Sequence, residues 1–387
     1  MNASFLELPF FENHHRQLFH DLDRWSTKNI HSFLNENVDA TCKHLVGLLG
    51  NDGWLKSTVS GISYGANLDR IDTRTICLSR EVLAYHEGLA DFSFAMQGLG
   101  SGAISIAGNE SQKLAYLPDV ISGKKIAAFA LSEPQAGSDV AAMKCKATTQ
   151  DDYVMIEGEK TWISNGGIAD FYIVFAREPE SHGTKGISAW IVDANTPGLE
   201  IAERINVIAP HPLARLKFNQ CKIPISQRIG SAGEGFKIAM RTLDIFRTSV
   251  AAAALGFARR AFDEAIAHAK QRQMFGQHLA DFQITQAILA KMATSIDSAS
   301  LLTYRAAWLR DQGKLITKEA AMAKLNATEE AQLVIDQALQ MFGGLGVVSG
   351  HIVEKLYRDI RALRIYEGAS EVQQLIIARE LLKNPTQ

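Results

Sequence analysis

Glu367 is the residue whose type and position most clearly suit chemistry. It stands in a short Tyr-Glu-Gly-Ala break between two segments whose apolar residues recur at helical spacing, within residues 358–379. Ser370 and Gln373 have the spacing of a capping box, so a helix is expected to begin at Ser370. A carboxylate in this place can take part in chemistry, or it can complement the helix dipole, which is worth roughly 0.3 to 1 kcal/mol. The local pattern allows both roles.

Two further stretches place polar or aromatic groups where a strand ends. Residues 128–142 (AFALSEPQAGSDVAA) begin as a strand and end in a polar loop with Gly137, Ser138 and Asp139. Such a loop can present backbone N–H groups and a hydroxyl to an anion or to a planar ligand, although an ordinary strand end has the same pattern. Residues 160–167 (KTWISNGG) place Trp162 beside a tight turn, where its ring either packs in the core or covers an aromatic cofactor.

The usual nucleotide-binding fingerprints do not occur in the sequence. There is no GxGxxG that opens a helix after a strand and no GxxxxGK[ST], and Gly343, Gly344 and Gly346 follow a helix, as at a helix C-terminus. Arg272, at the end of a long helical segment, can pair with a phosphate or complement the helix C-terminus. If a nucleotide binds, a binding site without these sequence motifs must hold it.

Two other site types have little support. Gly61, Ser63 and Gly65 match the GxSxG pattern of serine hydrolases, but they lie in a turn-rich link among helical segments instead of between a strand and a helix. The 11 histidines show no HExxH or other ligand spacing. We therefore expect neither a hydrolase nor a metal site.

The composition indicates a globular protein of two or three domains. Of 387 residues, 47% are hydrophobic and 21% are charged. The net charge of -2 gives no electrostatic reason to expect nucleic acid or an anionic membrane. The four cysteines form no CxxC pair, which fits buried thiols in a reducing compartment. The N-terminus resembles neither a signal nor a transit peptide, and no run is long enough to span a membrane, so we expect a cytoplasmic protein.

The hydrophobic period divides the chain into three segments, helical over residues 1–122, alternating over 123–229 and helical again over 230–387. Residues 15–35, 42–49 and 73–89 carry helical stripes. Strands are expected at 126–131, 153–157, 161–164, 171–176, 187–192 and 214–218, with no helices to cross over between them. The fold class is therefore α+β and multidomain: an N-terminal helical domain, a middle antiparallel β-barrel or sandwich, and a C-terminal antiparallel four-helix bundle.

Four separated blocks resemble the acyl-CoA dehydrogenase family, in the order in which that family has them. They are ALSEPQAGSD at 130–139, KTWISNGG at 160–167, RQMFGQHLADFQ at 272–283, and QMFGGLG with VEKLYRDIRALRIYEGASEVQ at 340–373. The resemblance extends from about residue 15 to residue 382. It implies an enzyme that binds FAD between the β domain and the bundle and removes the α and β hydrogens of an acyl thioester.

The resemblance also implies which residues contact FAD. Those of the β domain would hold and cover the flavin ring, those of the bundle would reach the pyrophosphate and adenosine in a neighbouring subunit, and two more would follow the turn at Glu367. They are Phe129, Leu131, Ser132, Gly137, Ser138, Trp162, Ile163 and Ser164; Arg272, Phe275, Gln283, Gln340, Gly343 and Gly344; and Ala369 and Glu371. Sites shared in this way imply an oligomer, in this family usually a tetramer built as a dimer of dimers.

In the family the catalytic base is a glutamate in the YEG turn, which is Glu367 here, or in the first long bundle helix, where this chain has Phe246. The resemblance therefore implies that Glu367 takes the α proton while the β hydrogen leaves as hydride to flavin N5. The thioester oxygen would accept from the Glu367 N–H and an FAD ribityl hydroxyl. Substrate contacts are implied for Ser138, Asp244, Arg247 and Gly368.

The sequence departs from the family pattern in three places. Residues 59–68 (VSGISYGANL) replace a Pro-Glu-Glu-Tyr-Gly-Gly type segment, and Ala369 and Ser132 each replace a frequent Thr. The first change affects the substrate entrance, so straight, branched and aminoacyl groups, and both CoA and an acyl carrier protein, stay open. The implied electron acceptor is an electron-transfer flavoprotein. The alternatives are an oxygen-using oxidase and a relative that binds FAD without dehydrogenation.

Overall fold

The computed structural model describes residues 1–31, 37–179 and 183–383. Its helices are α1 Asn13–Asn29, α2 Val38–Asn51, α3 Thr73–His86, α4 Gly88–Ala107, α5 Glu110–Ile121, α6 Gly235–Gln271, α7 Gln283–Asp311, α8 Thr317–Phe342, α9 Ile352–Leu363 and α10 Ser370–Lys383. Its strands are β1 Ala127–Ala130, β2 Lys146–Gln150, β3 Tyr153–Ser164, β4 Phe171–Arg177, β5 Ile187–Asp193, β6 Leu199–Arg204, β7 Leu213–Pro224, β8 Arg228–Ile229, β9 Gln273–Met274 and β10 Gln277–His278. Short 3-10 turns connect many of these elements.

The chain forms two compact units. Unit 1 comprises residues 1–34, 73–91 and 244–387, and unit 2 comprises residues 35–72 and 92–243. The three-part division at residues 122 and 229 stays a prediction.

Unit 1 is helical and is built around two buried helices. Every residue of α3 from Thr73 to Ala84 is buried, and α3 packs against α1 and α7. Helix α8 packs against α7, α9 and α10, and its inner face consists largely of alanines, which allow close helix approach. Polar side chains on these two inner faces must find their partners inside the unit. These two helices carry Arg80 and Lys324, two of the charged side chains that act on Glu367.

Unit 2 contains a mixed sheet in the order β6-β7-β3-β2-β4-β5-β8, with β1 paired to β4. Most pairs are antiparallel, but β1 runs parallel to β4, and β2 meets β4 in parallel at Lys146 and Arg177. Large side chains fill its core, among them Trp190, Tyr172 and Phe175, each worth about 1.5 to 3 kcal/mol when fully buried. Helix α4 is tied to β1 because the Gln97 side chain accepts from the Ala127 N–H at 3.0 Å.

The structure corrects four details of the sequence predictions. The sheet is mixed instead of purely antiparallel, and the strands predicted at 153–157 and 161–164 are one strand, β3, with register shifts. The helix predicted to run to residue 35 ends at Asn29, and Phe33 and Leu34 lie outside the described residues. The capping box does not form, because the Ser370 hydroxyl donates to Glu329 and the Gln373 amide to the Gly368 carbonyl.

Several simpler predictions are confirmed. All four cysteines are free and buried. Ser63 lies in a single 3-10 turn, Ile62–Tyr64, that follows another such turn, Trp54–Ser57, so it lacks the strand that a hydrolase elbow requires. Within the described parts of the chain, no helix combines the length and the apolar character that a membrane crossing needs.

Candidate active site

The candidate site in unit 1 is the turn between α9 and α10. Glu367 has φ +53° and Gly368 has φ +95°, so two successive residues are left-handed. This conformation is ordinary for glycine, whereas for a glutamate it costs roughly 1 to 2 kcal/mol. Such a strained backbone conformation persists only where contacts with the surrounding structure hold it in place. The hydrogen bonds to this turn provide such contacts.

Three side chains donate to the two carbonyl groups of this turn. Arg247 Nε on α6 donates to the Glu367 oxygen at 3.1 Å. Lys324 Nζ on α8 donates to the Gly368 oxygen at 2.8 Å. Gln373 Nε2 on α10 donates to the same Gly368 oxygen at 2.8 Å and to the Glu367 oxygen at 3.3 Å. Three helices therefore fix the backbone that carries the Glu367 side chain.

The Glu367 carboxyl group has one oxygen that is shielded from solvent. The residue as a whole is half-buried, but its Oε2 is buried and has no hydrogen-bond partner among the described residues. Burial raises the pKa of this carboxyl above its ordinary value, because it disfavours the charged form. Arg80, Arg247 and Lys324 oppose the rise. A shielded carboxylate with a raised pKa is a stronger base than one in water.

Arg80, on the buried helix α3, is the cation with the largest opposing effect on Glu367. Its guanidinium makes a two-bond ion pair with Asp91, through Nε at 2.8 Å and Nη2 at 2.9 Å, and its Nη1 donates to Ser249 Oγ at 3.0 Å. Arg80 and Asp91 are both almost fully buried. This network fixes the position of the Arg80 positive charge, which acts on Glu367.

Asp244 and Arg247, the predicted substrate contacts, are neighbours on α6. Arg247 Nη1 and Asp244 Oδ1 are 3.4 Å apart, and the Thr317 hydroxyl lies 3.5 Å from Asp244 Oδ2. Burial raises the pKa of Asp244, although Arg247 opposes this. Burial lowers the pKa of Arg247. The structure therefore brings Asp244, Arg247, Glu367 and Gly368 together, and their roles in substrate binding and catalysis stay predictions.

Six of the predicted FAD contacts of unit 1 form an exposed group at the far end of α6. All six of these side chains or glycines are exposed: Arg272, Phe275, Gln283, Gln340, Gly343 and Gly344. The ring of His268 stacks on Phe342 at 4.1 Å, next to Gly343. Burial lowers the pKa of His268, and the charge of Arg272 lowers it further. Phe275 and Phe282 have ring centroids 6.5 Å apart, which places Phe275 near Gln283.

Phe275 shows why this group suits an aromatic nucleotide. It is 88% exposed and has φ +49°, so neither core packing nor backbone preference accounts for it. An exposed ring three residues along the chain from the exposed side chain of Arg272 fits a ligand that has both a flat base and phosphate groups. Nearer Glu367, Ala369 is half-buried, and Glu371 is exposed in the first turn of α10.

In unit 2, a buried ion pair holds the predicted FAD loop. Lys160 Nζ, fully buried on β3, donates to Glu133 Oε1 at 2.8 Å and to the Leu131 carbonyl at 2.9 Å. Glu133 in turn accepts from the backbone N–H groups of Lys144 and Cys145. The loop therefore has a fixed base on the strand, while Gly137 and Ser138 are exposed and Ser132 is half-buried.

Trp162 has the conformation of a residue that is held outward from β3. Its φ is +58° at a register shift of the strand, and its side chain is 59% exposed. A left-handed tryptophan is a rare, strained conformation. Ile163 is buried, so it can offer only backbone atoms to a ligand, and Ser164 is half-buried. Phe129 packs against Phe175, with ring centroids 4.9 Å apart.

Sequence reasoning missed Arg80 and Lys324 and assigned Gln373 only a capping role. A signal was present, because Lys324 is a lone cation among Ala320, Ala321, Ala323 and Ala327 on a helix face that must be buried. Arg80 stands likewise in a helix whose other residues are mostly apolar or small. A charge on a buried face indicates a partner, but the sequence does not show which partner.

Comparison with known proteins gives consistent matches. The family described as "Acyl-CoA dehydrogenase, middle domain" matches residues 128–221, and "Acyl-CoA dehydrogenase, C-terminal domain" matches residues 233–382. The chain is 40% identical over 311 residues to the caffeyl-CoA reductase-Etf complex subunit CarC of Acetobacterium woodii, covering 80% of this chain and 82% of that protein. It is 44% identical over 285 residues to the human mitochondrial short-chain specific acyl-CoA dehydrogenase, covering 73% and 69%.

A solved structure shares the fold over almost the whole chain. The butyryl-CoA dehydrogenase of Megasphaera elsdenii superimposes with a TM-score of 0.87 at 33% sequence identity, covering 96% of this chain and 99% of that chain.

Proposed function

This chain belongs to the acyl-CoA dehydrogenase family, and we propose that it oxidises a short acyl-CoA across its α and β carbons, with Glu367 as the base. Proteins of this family are FAD-dependent oxidoreductases. The assignment of the base depends on one observation: Oε2 of Glu367 is buried and has no hydrogen-bond partner within the described parts of the chain, on a turn held by three donors.

The residues of this chain would act as follows. Arg247, Lys324 and Gln373 hold the turn, so the Glu367 carboxylate needs no reorganisation when the thioester arrives. Glu367 takes the α proton, and its own N–H donates to the thioester oxygen, which stabilises the developing enolate. Asp244 and Gly368 contact the thioester-linked arm. FAD supplies the acceptor for the β hydride.

The predicted contacts fit FAD in their chemistry. In unit 2, the indole of Trp162 and the loop that ends in Gly137 and Ser138 suit the flavin ring and its polar edge. In unit 1, Arg272 and Phe275 suit the phosphates and the adenine. Both groups are exposed to solvent, and the packing of the fold does not explain this exposure.

We further propose a homotetramer and an electron-transfer flavoprotein as partner. Large apolar side chains of unit 1 are exposed on α7, α8 and α10: Ile284, Leu333, Leu375 and Leu382. Such surfaces are typical of subunit interfaces. The name of the Acetobacterium relative places it in an Etf complex, which supports the same partner here. We also propose a cytoplasmic location, which the four free and buried cysteines support.

The choice of a short acyl group rests on the relatives, one named short-chain specific and another named butyryl-CoA dehydrogenase. The test is an anaerobic titration of the holoenzyme with butyryl-CoA, isovaleryl-CoA, octanoyl-CoA and butyryl-acyl carrier protein. We expect butyryl-CoA to bleach the flavin absorbance most completely. Failure of every thioester to bleach it would contradict the proposal.

Two controls separate the alternatives. Rapid reoxidation of the bleached flavin by air would indicate an oxidase instead of a dehydrogenase. Because the Acetobacterium relative is named a reductase, crotonyl-CoA is added to the reduced protein to measure the reverse reaction.

A further inference from the structure

Lys324 is a buried cation that holds the turn of Glu367, but the proposed chemistry does not yet use its charge. It is fully buried on α8, and its Nζ donates to the Gly368 carbonyl at 2.8 Å. Most of the residues around it on that helix face are alanines, which need no charge for their packing. A buried ammonium group is costly unless it serves a purpose that a neutral residue cannot.

We propose that Lys324 is a positioning residue for Glu367, which holds the Gly368 carbonyl and supplies a positive charge that favours the ionised base. This inference rests on the proposed function, because it concerns the same reaction. It assigns to Lys324 two separable effects, one geometric and one electrostatic.

The charges that face Lys324 support the electrostatic effect. They are Glu367 in the turn, Glu329 on α8, Arg247 on α6 and Glu371 on α10, with Glu367 exerting the largest effect of the three carboxylates. Glu329 is already bonded to Arg364 and to the Ser370 hydroxyl. Glu371 is exposed to solvent. Glu367 is therefore the carboxylate on which the charge of Lys324 acts most directly.

The pKa of Lys324 is consistent with this placement. Burial lowers it to about 8, and Glu367 is the first charge that opposes the fall. Interaction between two charges is mutual, so the ammonium group favours the carboxylate as much as the carboxylate favours the ammonium group.

Gln373 allows the two effects to be separated. Its Nε2 donates to the same Gly368 oxygen at the same distance, 2.8 Å, but it carries no charge. Removing either side chain removes one donor from this carbonyl. Only the removal of Lys324 also removes a positive charge near Glu367.

The experiment compares Lys324→Met, Gln373→Met and Thr328→Val in the holoenzyme. Thr328 lies one turn further along α8, is fully buried and donates to the Lys324 backbone carbonyl, so its variant is matched for position and burial. The first measurement is the pH dependence of flavin reduction by butyryl-CoA in single turnovers. The second is an infrared titration of ¹³C-labelled glutamate carboxyls without substrate, with Glu367 assigned by its loss in Glu367→Gln.

We expect Lys324→Met to reduce the rate at pH 7 by about tenfold, the usual worth of one hydrogen bond from a charged donor. It should also move the titration of Glu367 to higher pH in both measurements. Gln373→Met should lower the rate but leave the titration midpoint in place, and Thr328→Val should change neither. Lys324→Arg, which keeps the charge, should restore the wild-type midpoint.

An unchanged Glu367 titration in Lys324→Met would overturn the inference. If that variant does not fold, Lys324→Gln gives the same comparison with a shorter neutral side chain. Flavin reduction that survives in Glu367→Gln would instead refute Glu367 as the base. The infrared titration needs no turnover, so it tests Lys324 in either case.

Discussion

The Nε of Arg247 donates a hydrogen bond of 3.1 Å to the carbonyl oxygen of Glu367. The family resemblance gives Arg247 a role in substrate binding, but in the structure this side chain also holds the turn that carries the candidate base. The two roles are compatible, because the guanidinium group has five N–H donors. A substitution at Arg247 should therefore affect both binding and the base.

We expect Arg247→Gln to lower the rate of flavin reduction at pH 7 by about 10- to 100-fold, as one donor to the turn and one positive charge are lost. The charge of Arg247 opposes the raised pKa of Glu367, so its loss moves the rising limb of the pH profile to higher pH. The matched control is Arg241→Gln, an exposed position on the same helix. A rate that falls with an unmoved pH profile would mean that Arg247 acts on substrate alone.

Gly368→Ala should destabilise unit 1 and slow the reaction. The new Cβ would lie 2.4 Å from Gln373 Nε2 at a residue with φ +95°, so both the backbone and the Gln373 amide must move. We expect a loss of about 1 to 3 kcal/mol in the free energy of unfolding, measured in urea. Gly47→Ala in the middle of α2, where nothing lies within 4 Å of the new Cβ, should instead be neutral or stabilising. An equal change in the free energy of unfolding for the two variants would argue against a constrained turn at Gly368.

Lys160→Met should destabilise unit 2 because Glu133, which is 6% exposed, would keep only its two backbone donors. Removing one partner of a buried pair costs about 3 to 5 kcal/mol. The double variant Lys160→Met with Glu133→Gln should recover most of this loss. The molar ratio of FAD to purified protein should fall in the single variant, since the pair anchors the proposed flavin loop.

The control is the exposed ion pair between Arg215 and Glu159. Glu159 lies on β3, directly before Lys160. Glu159→Gln should change the free energy of unfolding by about 0 to 1 kcal/mol. A loss in Lys160→Met as small as that would show that the buried pair does not anchor the loop.

Lys324→Met should be more stable than the wild type at neutral pH, although it is slower. The pKa of Lys324 falls from 10.5 to about 8 on folding, so between these values the unfolded chain binds more protons and wild-type stability rises with pH. Below pH 8 the wild type carries the full cost of burying the charged Lys324, which is at most about 3 kcal/mol of the free energy of unfolding. Urea unfolding at pH 7 and pH 10 should show the advantage of the variant shrinking at the higher pH. An advantage that grew with pH would contradict the lowered pKa.

The order of helices, strands and helices could be predicted from the spacing of hydrophobic residues. Each helix or strand buries one face, and that face has the spacing of its own type of secondary structure. Strand β6 was missed, since all of its residues but Leu199 are exposed and its sequence alternates between apolar and polar residues only over Leu199–Ile201. The parallel pairing of β1 with β4 was also missed. The spacing of hydrophobic residues shows which face of a strand is buried, but it does not show which strand lies beside it.

The position of Glu367 could be found from the sequence, but its environment could not. The donors and cations around it come from residues 80, 247, 324 and 373, on four helices that only the fold brings together. The buried Oε2 atom is likewise a property of three-dimensional packing. Local sequence identified the carboxylate, and tertiary structure determines its chemistry.

The most direct test is the anaerobic titration of Glu367→Gln with butyryl-CoA, beside the wild type. The amide has the shape of the carboxylate but cannot accept the α proton, and we expect it to leave bound FAD and the free energy of unfolding at pH 7 undiminished. The wild-type flavin should bleach, and the flavin of the variant should stay oxidised. Bleaching of the variant at the wild-type rate would contradict the role of Glu367 as the base.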